Sequence, residues 1–298
     1  MTNKQVIGID LGGTSIKLGK FSEEGKLLTS LTIPTPNPAT PENVLNAMLE
    51  GINQVNINKE AIAIGIGTPG PVDGSGRIAR VAINLSGWNN VPLADWLEEK
   101  TGLKTILAND ANCAGLGEFW LGSGRNFRNL ILITLGTGVG GAIILDGKLF
   151  VGHKGAAGEL GLITVNPDGH PCNSGNQGSL EQHNSVQAVK RITGLEPEEL
   201  FKKADLGDEY ALKFWQNYGR DLGIGLTSLI YVLTPEAIII GGGISPAFKF
   251  FAPSMWAEIE KRVLFSSRED LQIILAELGN QAGMVGAAKL ALSVISNQ

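Results

Sequence analysis

The chain has 298 residues, of which 43% are apolar and 18% charged, with 40 glycines and a formal net charge of −5. Glycine without a three-residue period excludes a collagen-like rod, the apolar share excludes an unfolded polymer, and the lack of any Lys/Arg run excludes an electrostatic nucleic-acid footprint. Two cysteines, Cys113 and Cys172, give no disulfide framework and point to a reducing, cytoplasmic setting. The opening residues MTNKQVIGID are too few to hold a signal peptide before the first apolar run. The charge-free stretch between Arg128 and Asp146 is broken by four glycines and is too short to span a membrane.

In chain order, Val6–Asp10 reads as a short strand that runs into Gly12-Gly13-Thr14, and Ile16–Phe21 and Leu27–Ile33 read as two further strands. Thr40-Pro41-Glu42 is an N-cap, a proline at the first helical position and an acid in the first turn, predicting a helix to about Val55. Strands follow at Ala61–Gly67 and Thr105–Ala108, with a helix over Pro92–Lys100 between them. Asn109-Asp110 opens a helix reaching about Leu121. Near mid-chain the first pattern recurs: strand Leu130–Leu135, the turn Gly136–Gly141, strand Ala142–Leu145, an Asp146-Gly147 hairpin and strand Lys148–Val151. Two copies of one unit about 125 residues apart predict two related halves. Helices are expected over Gly178–Ile192, Asp208–Leu233, Pro246–Val263 and Gln281–Ile295, with strands at Ala237–Ile240 and Leu271–Ala276. The alternation makes this an α/β protein.

Three glycine-rich turns follow three strands, after Asp10, Leu135 and Ile240. Such turns let backbone N–H groups approach a phosphate. Gly136–Gly141 fits the dinucleotide fingerprint GxGxxG, but that fingerprint opens a helix, and here a strand-like run and a hairpin follow, so the Rossmann reading is rejected.

The motif series IDLGGTSIK at Ile9–Lys17, IGTPGPVD at Ile66–Asp73, NDANCAGLGE at Asn109–Glu118, LGTGVGGAIILDGKL at Leu135–Leu149, GAAGELG at Gly155–Gly161 and GGGIS at Gly241–Ser245 resembles the ROK family of sugar kinases. That family belongs to the actin-like ATPase superfamily, and the resemblance covers nearly the whole chain. It implies a two-domain actin-like (ribonuclease H-like) fold with a cleft between the domains, here 1–117 plus 285–298 and 118–284. It implies ATP-dependent phosphorylation of a hexose at its 6-hydroxyl, glucose first, as in bacterial glucokinases. Another hexose or an N-acetylhexosamine as acceptor, polyphosphate as donor, and a non-catalytic sugar sensor stay open. The family's DNA-binding repressors carry a helix-turn-helix segment before this domain, for which no room is expected ahead of Val6. The resemblance further implies a cytoplasmic homodimer that uses no nucleic acid and no membrane.

The resemblance also assigns roles. Asp10 would hold Mg²⁺ through water, and Gly12, Gly13, Thr14 and Lys17 would line the phosphate site with it. Gly136, Thr137 and Gly138 would grip the phosphates, and Gly241, Gly242 and Gly243 would lie against the adenosine. Asp110 would be the catalytic base. Asn84, Asn109, Asp110, Glu159 and Glu181 would hold sugar hydroxyls. Each residue alone has a plainer reading: Asp10 as a strand-end turn residue, Asp110 as a helix N-cap, Glu159 and Glu181 as surface acids. The ordered motif series outweighs these. Cys113 is expected to be a packed side chain, and His153 and His183 have no expected partner.

The chain departs from the family at its zinc site, which needs a His in GExGH and three thiols in CxCGxxGC. Leu162 stands at the His position, and Cys172 is the one thiol left, with Ser174 and Ser179 in place of the others. A structural zinc takes four N or S ligands, so no zinc is expected. Hydrogen bonds from Asn173, Ser174, Asn176 and Ser179 are expected to hold the loop instead. In the family the missing His also contacts the sugar, so Leu162 implies one hydrogen bond fewer, worth about 0.5–1.5 kcal/mol, and weaker or looser sugar discrimination.

Overall fold

The computed structural model describes residues 4–82 and 85–296. In chain order the elements are strands β1 (Gln5–Leu11), β2 (Ser15–Ser22) and β3 (Leu27–Pro34), helix α1 (Pro41–Val55), β4 (Ala61–Thr68), a small hairpin of β5 (Ala79–Val81) and β6 (Asn89–Val91), α2 (Leu93–Thr101), β7 (Lys104–Asn109) and α3 (Asp110–Trp120). Then come β8 (Leu130–Leu135), β9 (Val139–Leu145), β10 (Lys148–Leu149), α4 (Leu180–Asn184), α5 (Val186–Thr193), α6 (Pro197–Asp205) and α7 (Glu209–Leu233). The chain closes with β11 (Ala237–Gly241), α8 (Phe248–Arg262), α9 (Phe265–Arg268), β12 (Gln272–Leu275) and α10 (Ala282–Ser296).

Two five-stranded sheets have the orders β3-β2-β1-β4-β7 and β10-β9-β8-β11-β12. In each, the strand before the glycine turn (β1 or β8) is central. An antiparallel hairpin lies on one side of β1, and parallel strands reached by crossovers lie on the other side of both β1 and β8. The repeat read from the sequence is thus a repeat of topology. β9 begins at Val139, inside the Gly136–Gly141 segment, where a Rossmann unit would open a helix.

The chain divides into two compact units, 1–128 with 142–158 and 277–298, and 129–141 with 159–276. The boundaries expected from sequence, 117/118 and 284/285, cut α3 and α10. Those two helices pack on each other, so the structure keeps both whole in the first unit. Their closeness has a local cause: a Cβ on Gly286 would lie 1.6 Å from the Cys113 carbonyl oxygen, so only glycine lets the backbones approach. Cys113 is fully buried there, as expected.

Strand β1 shows how the first unit is built. Ile7, Ile9 and Leu11 join the core under α1 with Val44 and Met48. Val6 faces the other way, into a core with Met284, Val285 and Ala288 of α10. Period-two alternation puts Gly8 and Asp10 on the Val6 side, and that register carries Asp10 to the start of α10.

Most expected elements are present within a residue or two. The helix expected over Gly178–Ile192 is two helices. Ser185 adopts extended backbone, and its hydroxyl accepts from Ala188 N–H at 3.1 Å, so it ends α4 and caps α5. The β5–β6 hairpin, α6 and α9 were not expected.

Candidate active site

In the first unit, the turn after β1 is closed by Gly12 N–H donating to Ser15 O at 2.9 Å. The Thr35 hydroxyl donates to Gly12 O at 2.7 Å and fixes the turn from β3's end. Gly13 and Thr14 are exposed at its tip, where their amides suit an anionic ligand. The Asp10 carboxylate lies against α10, close enough that a Cβ on Gly283 would come within 2.9 Å of it. Lys17 pairs with Asp10 at 3.2 Å and donates to Asn280 O at 3.1 Å. Lys17 therefore holds the expected metal-binding carboxylate rather than reaching out of the turn.

Asn109 caps α3, its Oδ1 accepting from the Ala111 and Asn112 N–H groups at 2.9 and 3.3 Å. Its Nδ2 donates to Gly70 O at 3.1 Å, and its side chain also hydrogen-bonds to the Asp110 carboxylate. The cap places Asp110 as the first residue of α3. The surrounding protein pushes the Asp110 carboxyl above its ordinary value, the Ala111 N–H pulls it down, and the negative Asp10 pushes it up further. A carboxylate with raised proton affinity beside a second carboxylate is the state expected of a general base. A cavity of about 340 Å³ along β7 reaches Asn109 but neither Asp10 nor Asp110, so it is not where their chemistry takes place.

In the second unit, Gly136 N–H donates to Gly138 O at 3.0 Å, and Val186 N–H donates to Gly136 O at 2.8 Å. The phosphate turn expected at Gly136–Gly138 is thereby tied to the start of α5. Glu181 reaches the same turn, its Oε2 accepting from Val139 N–H at 3.0 Å. A Cβ on Gly138 would meet that oxygen at 2.4 Å. The expected sugar ligand Glu181 and the expected phosphate turn are thus in direct contact. Thr137 is exposed. The turn after β11 also requires glycine: Gly242 has φ +90°, and a Cβ there would lie 2.4 Å from Leu135 O, while above Gly243 the space is open. Glu159 is exposed, at the entry to a short 3-10 turn over Leu160–Leu162. These turns suit nucleotide phosphates, and Asp10 suits a divalent cation by its carboxylate donor type. Asn84 lies outside the described residues.

The zinc donor set does not fit. Leu162 has no lone pair to give, Ser174 and Ser179 offer neutral hydroxyls, and only Cys172 offers a thiol. Among the described residues no group of three His, Cys, Asp or Glu could hold a metal ion. Of the side chains expected to hold this loop, Asn176 and Ser174 make hydrogen bonds within it. None is found for the Asn173 side chain among the described residues, and Ser179 takes part through its backbone bridge with Thr164. His183, for which no partner was expected, has Nδ1 3.1 Å from Asp221 Oδ2.

One residue of the motif series acts differently from its neighbours. Glu118 is fully buried with no cation paired to it among the described residues, and its carboxylate accepts from the N–H groups of Ser123, Glu277 and Leu278 at 3.0, 3.1 and 2.8 Å. It ties α3 to the entry of α10, a structural task that its place at the end of NDANCAGLGE did not announce.

The ROK family's sequence profile matches residues 6–294. A glucokinase from Thermotoga maritima is 34% identical, over 97% of this chain and 98% of its own. The crystal structure of a ROK hexokinase from Thermus thermophilus superposes with a TM-score of 0.90 at 32% identity, covering 99% of this chain and 100% of that one. A ROK family glucokinase from Streptomyces griseus, in complex with glucose and AMPPNP, gives 0.80 at 34% identity, covering 97% and 99%.

Proposed function

The chain belongs to the ROK family, and on that premise we propose that it transfers the γ-phosphoryl group of ATP to the 6-hydroxyl of a hexose, with glucose preferred. It is a sugar kinase, and sugar and nucleotide are its substrates. The hydroxyl oxygen bonds to the γ-phosphorus, the bond from that phosphorus to the β,γ-bridging oxygen breaks, and ADP leaves. The hydroxyl proton passes to the Asp110 carboxylate. Phosphoryl transfer asks mainly for alignment and charge neutralisation. Gly12–Thr14 and Gly136–Gly138 would supply backbone donors to the phosphates, and Gly241–Gly243 would lie against the adenosine. Asp10 would hold Mg²⁺ through water, the ion offsetting phosphate charge when bound, and Lys17 orients that carboxylate. Asn109, Glu159 and Glu181 would bind sugar hydroxyls.

The observation that carries this reading is Asp110: a carboxylate fixed at a helix start by Asn109 and raised in proton affinity by its surroundings and by Asp10. We infer a homodimer working in the cytoplasm without nucleic acid or membrane; among the described residues no helix is long and apolar enough to cross one.

ADP release by the purified chain, given ATP and a panel of glucose, mannose, fructose and N-acetylglucosamine, tests the proposal. Glucose should give the highest kcat/KM. With Leu162 at the family's His position, mannose should fall within about tenfold of it, since one hydrogen bond is worth about 0.5–1.5 kcal/mol. No sugar-dependent ADP would overturn the reading, and a preference for the N-acetylated sugar would reassign the acceptor.

A further inference from the structure

The segment from Ile163 to Ser179 is a loop without a metal-binding donor set, yet it is closely held. Thr164 bridges Ser179, and Pro171 bridges Gln177, both antiparallel. Val165 N–H donates to Gly178 O, Leu180 N–H to Ile163 O and Cys172 N–H to Asn176 O, each at 2.8 Å. At the centre of this frame is one carboxamide. Asn176 Nδ2 donates to Leu162 O at 2.8 Å and to the Thr164 hydroxyl at 3.1 Å. Asn176 Oδ1 accepts from Gln177 N–H at 2.7 Å and from the Thr164 hydroxyl at 3.2 Å. Both donors and both acceptor sites of the amide are filled, which is the whole capacity of an Asn side chain.

The partners lie on two different segments. Leu162 ends the short turn that begins after Glu159 and Thr164 lies two residues beyond it, and Gln177 leads through Ser179 into Glu181 at the start of α4. One side chain therefore fixes the segment that carries Glu159 against the segment that carries Glu181. The second of these carboxylates also holds Val139 N–H of the glycine turn.

We propose that Asn176 is a positioning residue that cross-links this loop without any metal, and that it thereby sets the spacing of the two sugar-binding acids. The kinetic part rests on the proposed sugar kinase reading; the cross-link does not. Losing the cross-link lets Glu159 and Glu181 drift, so the cost falls on sugar binding. The proton acceptor Asp110, which none of these bonds reaches, keeps its value.

The test compares the purified chain with Asn176→Ala, Asn176→Asp and Thr164→Val. Asp keeps the shape and loses both N–H donors, so it serves where the alanine variant does not fold. Wild type should carry no stoichiometric zinc, and its Tm should not move with EDTA. In the variants the Val165, Gly178 and Leu180 amides should exchange faster. KM for glucose should rise about fivefold or more, the weight of roughly one hydrogen bond, while kcat stays within about twofold, a range too small to reflect a lost bond. One zinc per chain whose removal lowers the Tm would overturn the proposal, as would unchanged amide exchange. Faster exchange with an unchanged glucose KM would overturn the positioning role. If wild type turns over no sugar, the kinase reading fails, while metal content and amide exchange still judge the cross-link.

Discussion

Replacing Asp110 by Asn separates catalysis from folding. The amide keeps the size of the carboxylate, and its Oδ1 can still accept the Ala111 N–H that Asp110 accepts at 2.8 Å, so α3 should start unchanged. The variant loses the proton acceptor. General-base catalysis contributes about 10²–10⁴-fold, so kcat should fall by that factor, about 2.7–5.4 kcal/mol at 1.36 kcal/mol per tenfold. Stability should move the other way. The folded-state pKa of Asp110 is raised above its ordinary 3.8, so the native state binds this proton more tightly than the unfolded one. Ionisation is then a cost to the fold at every pH above the folded value, and that cost fades as pH falls towards 3.8. A neutral amide removes it, so the Tm of Asp110→Asn at pH 7 should equal or exceed that of wild type. The acid limb of the wild-type pH–rate profile should lie above that of an unperturbed Asp and be missing from the variant's residual rate. Coupled ADP assays from pH 4 to 9 and thermal unfolding at pH 7 measure both. Turnover within threefold of wild type, or a loss of turnover matched by a large fall in Tm, would refute the reasoning.

Three other substitutions probe the frame around that site. Glu118→Gln turns an NH₂ group towards backbone N–H donors in a fully buried place, and should cost about 2–4 kcal/mol in chemical denaturation; a loss below 1 kcal/mol would mean the carboxylate is not holding α10's entry. Gly286→Ala gains about 1 kcal/mol of helix propensity, but its Cβ would meet the Cys113 carbonyl oxygen at 1.6 Å, and overpacking costs about 1–3 kcal/mol or more, so the Tm should fall. Asp73 is partly buried, which opposes ionisation, yet bonds from Ser75, Ile78 and Arg77 hold its pKa at about 2. Its contribution is present above the ordinary 3.8 and is lost as pH falls through about 2, so Asp73→Asn should be less stable than wild type at pH 7, and the gap should close on acidification in urea titrations.

How far the sequence carried the fold can be judged at single residues. Thr40 is legible as a cap because capping is local: its side chain accepts the N–H three residues ahead, and Asp208, at the start of its expected helix, caps α7 in the same way. The two strand–glycine–strand units were legible because their turns use residue types that little else requires. Ser185 was not legible as a helix break, since a serine inside an apolar pattern breaks a helix only when its own backbone turns out to cap the next one. The α6 helix was missed although Pro197 at its first position and Glu198 and Glu199 in its first turn are start signals, because its apolar face is short.

The site shows the same division between local and long-range information. Glycine turns and the Asn109-Asp110 helix start declare themselves in the sequence, because each needs its residue type for a reason internal to a few residues. Who meets whom does not. The motif puts Lys17 at the phosphate site but does not show that it pairs with Asp10 seven positions away, a contact that antiparallel pairing of β1 and β2 makes by setting Lys17 opposite Asp10. Glu118 was read with a catalytic motif and instead binds backbone 159 and 160 residues away. Asn176 had no family role to inherit, yet it stands where two segments converge and fills every bond it can make. The three share one logic. A polar side chain that leaves its local turn is used to fasten an element that carries an expected ligand: Lys17 holds Asp10, Glu118 holds the start of α10 beside Asp10, and Asn176 holds the segments of Glu159 and Glu181. Changing any of them should therefore displace a ligand without removing it, and the displacement should register first in a KM.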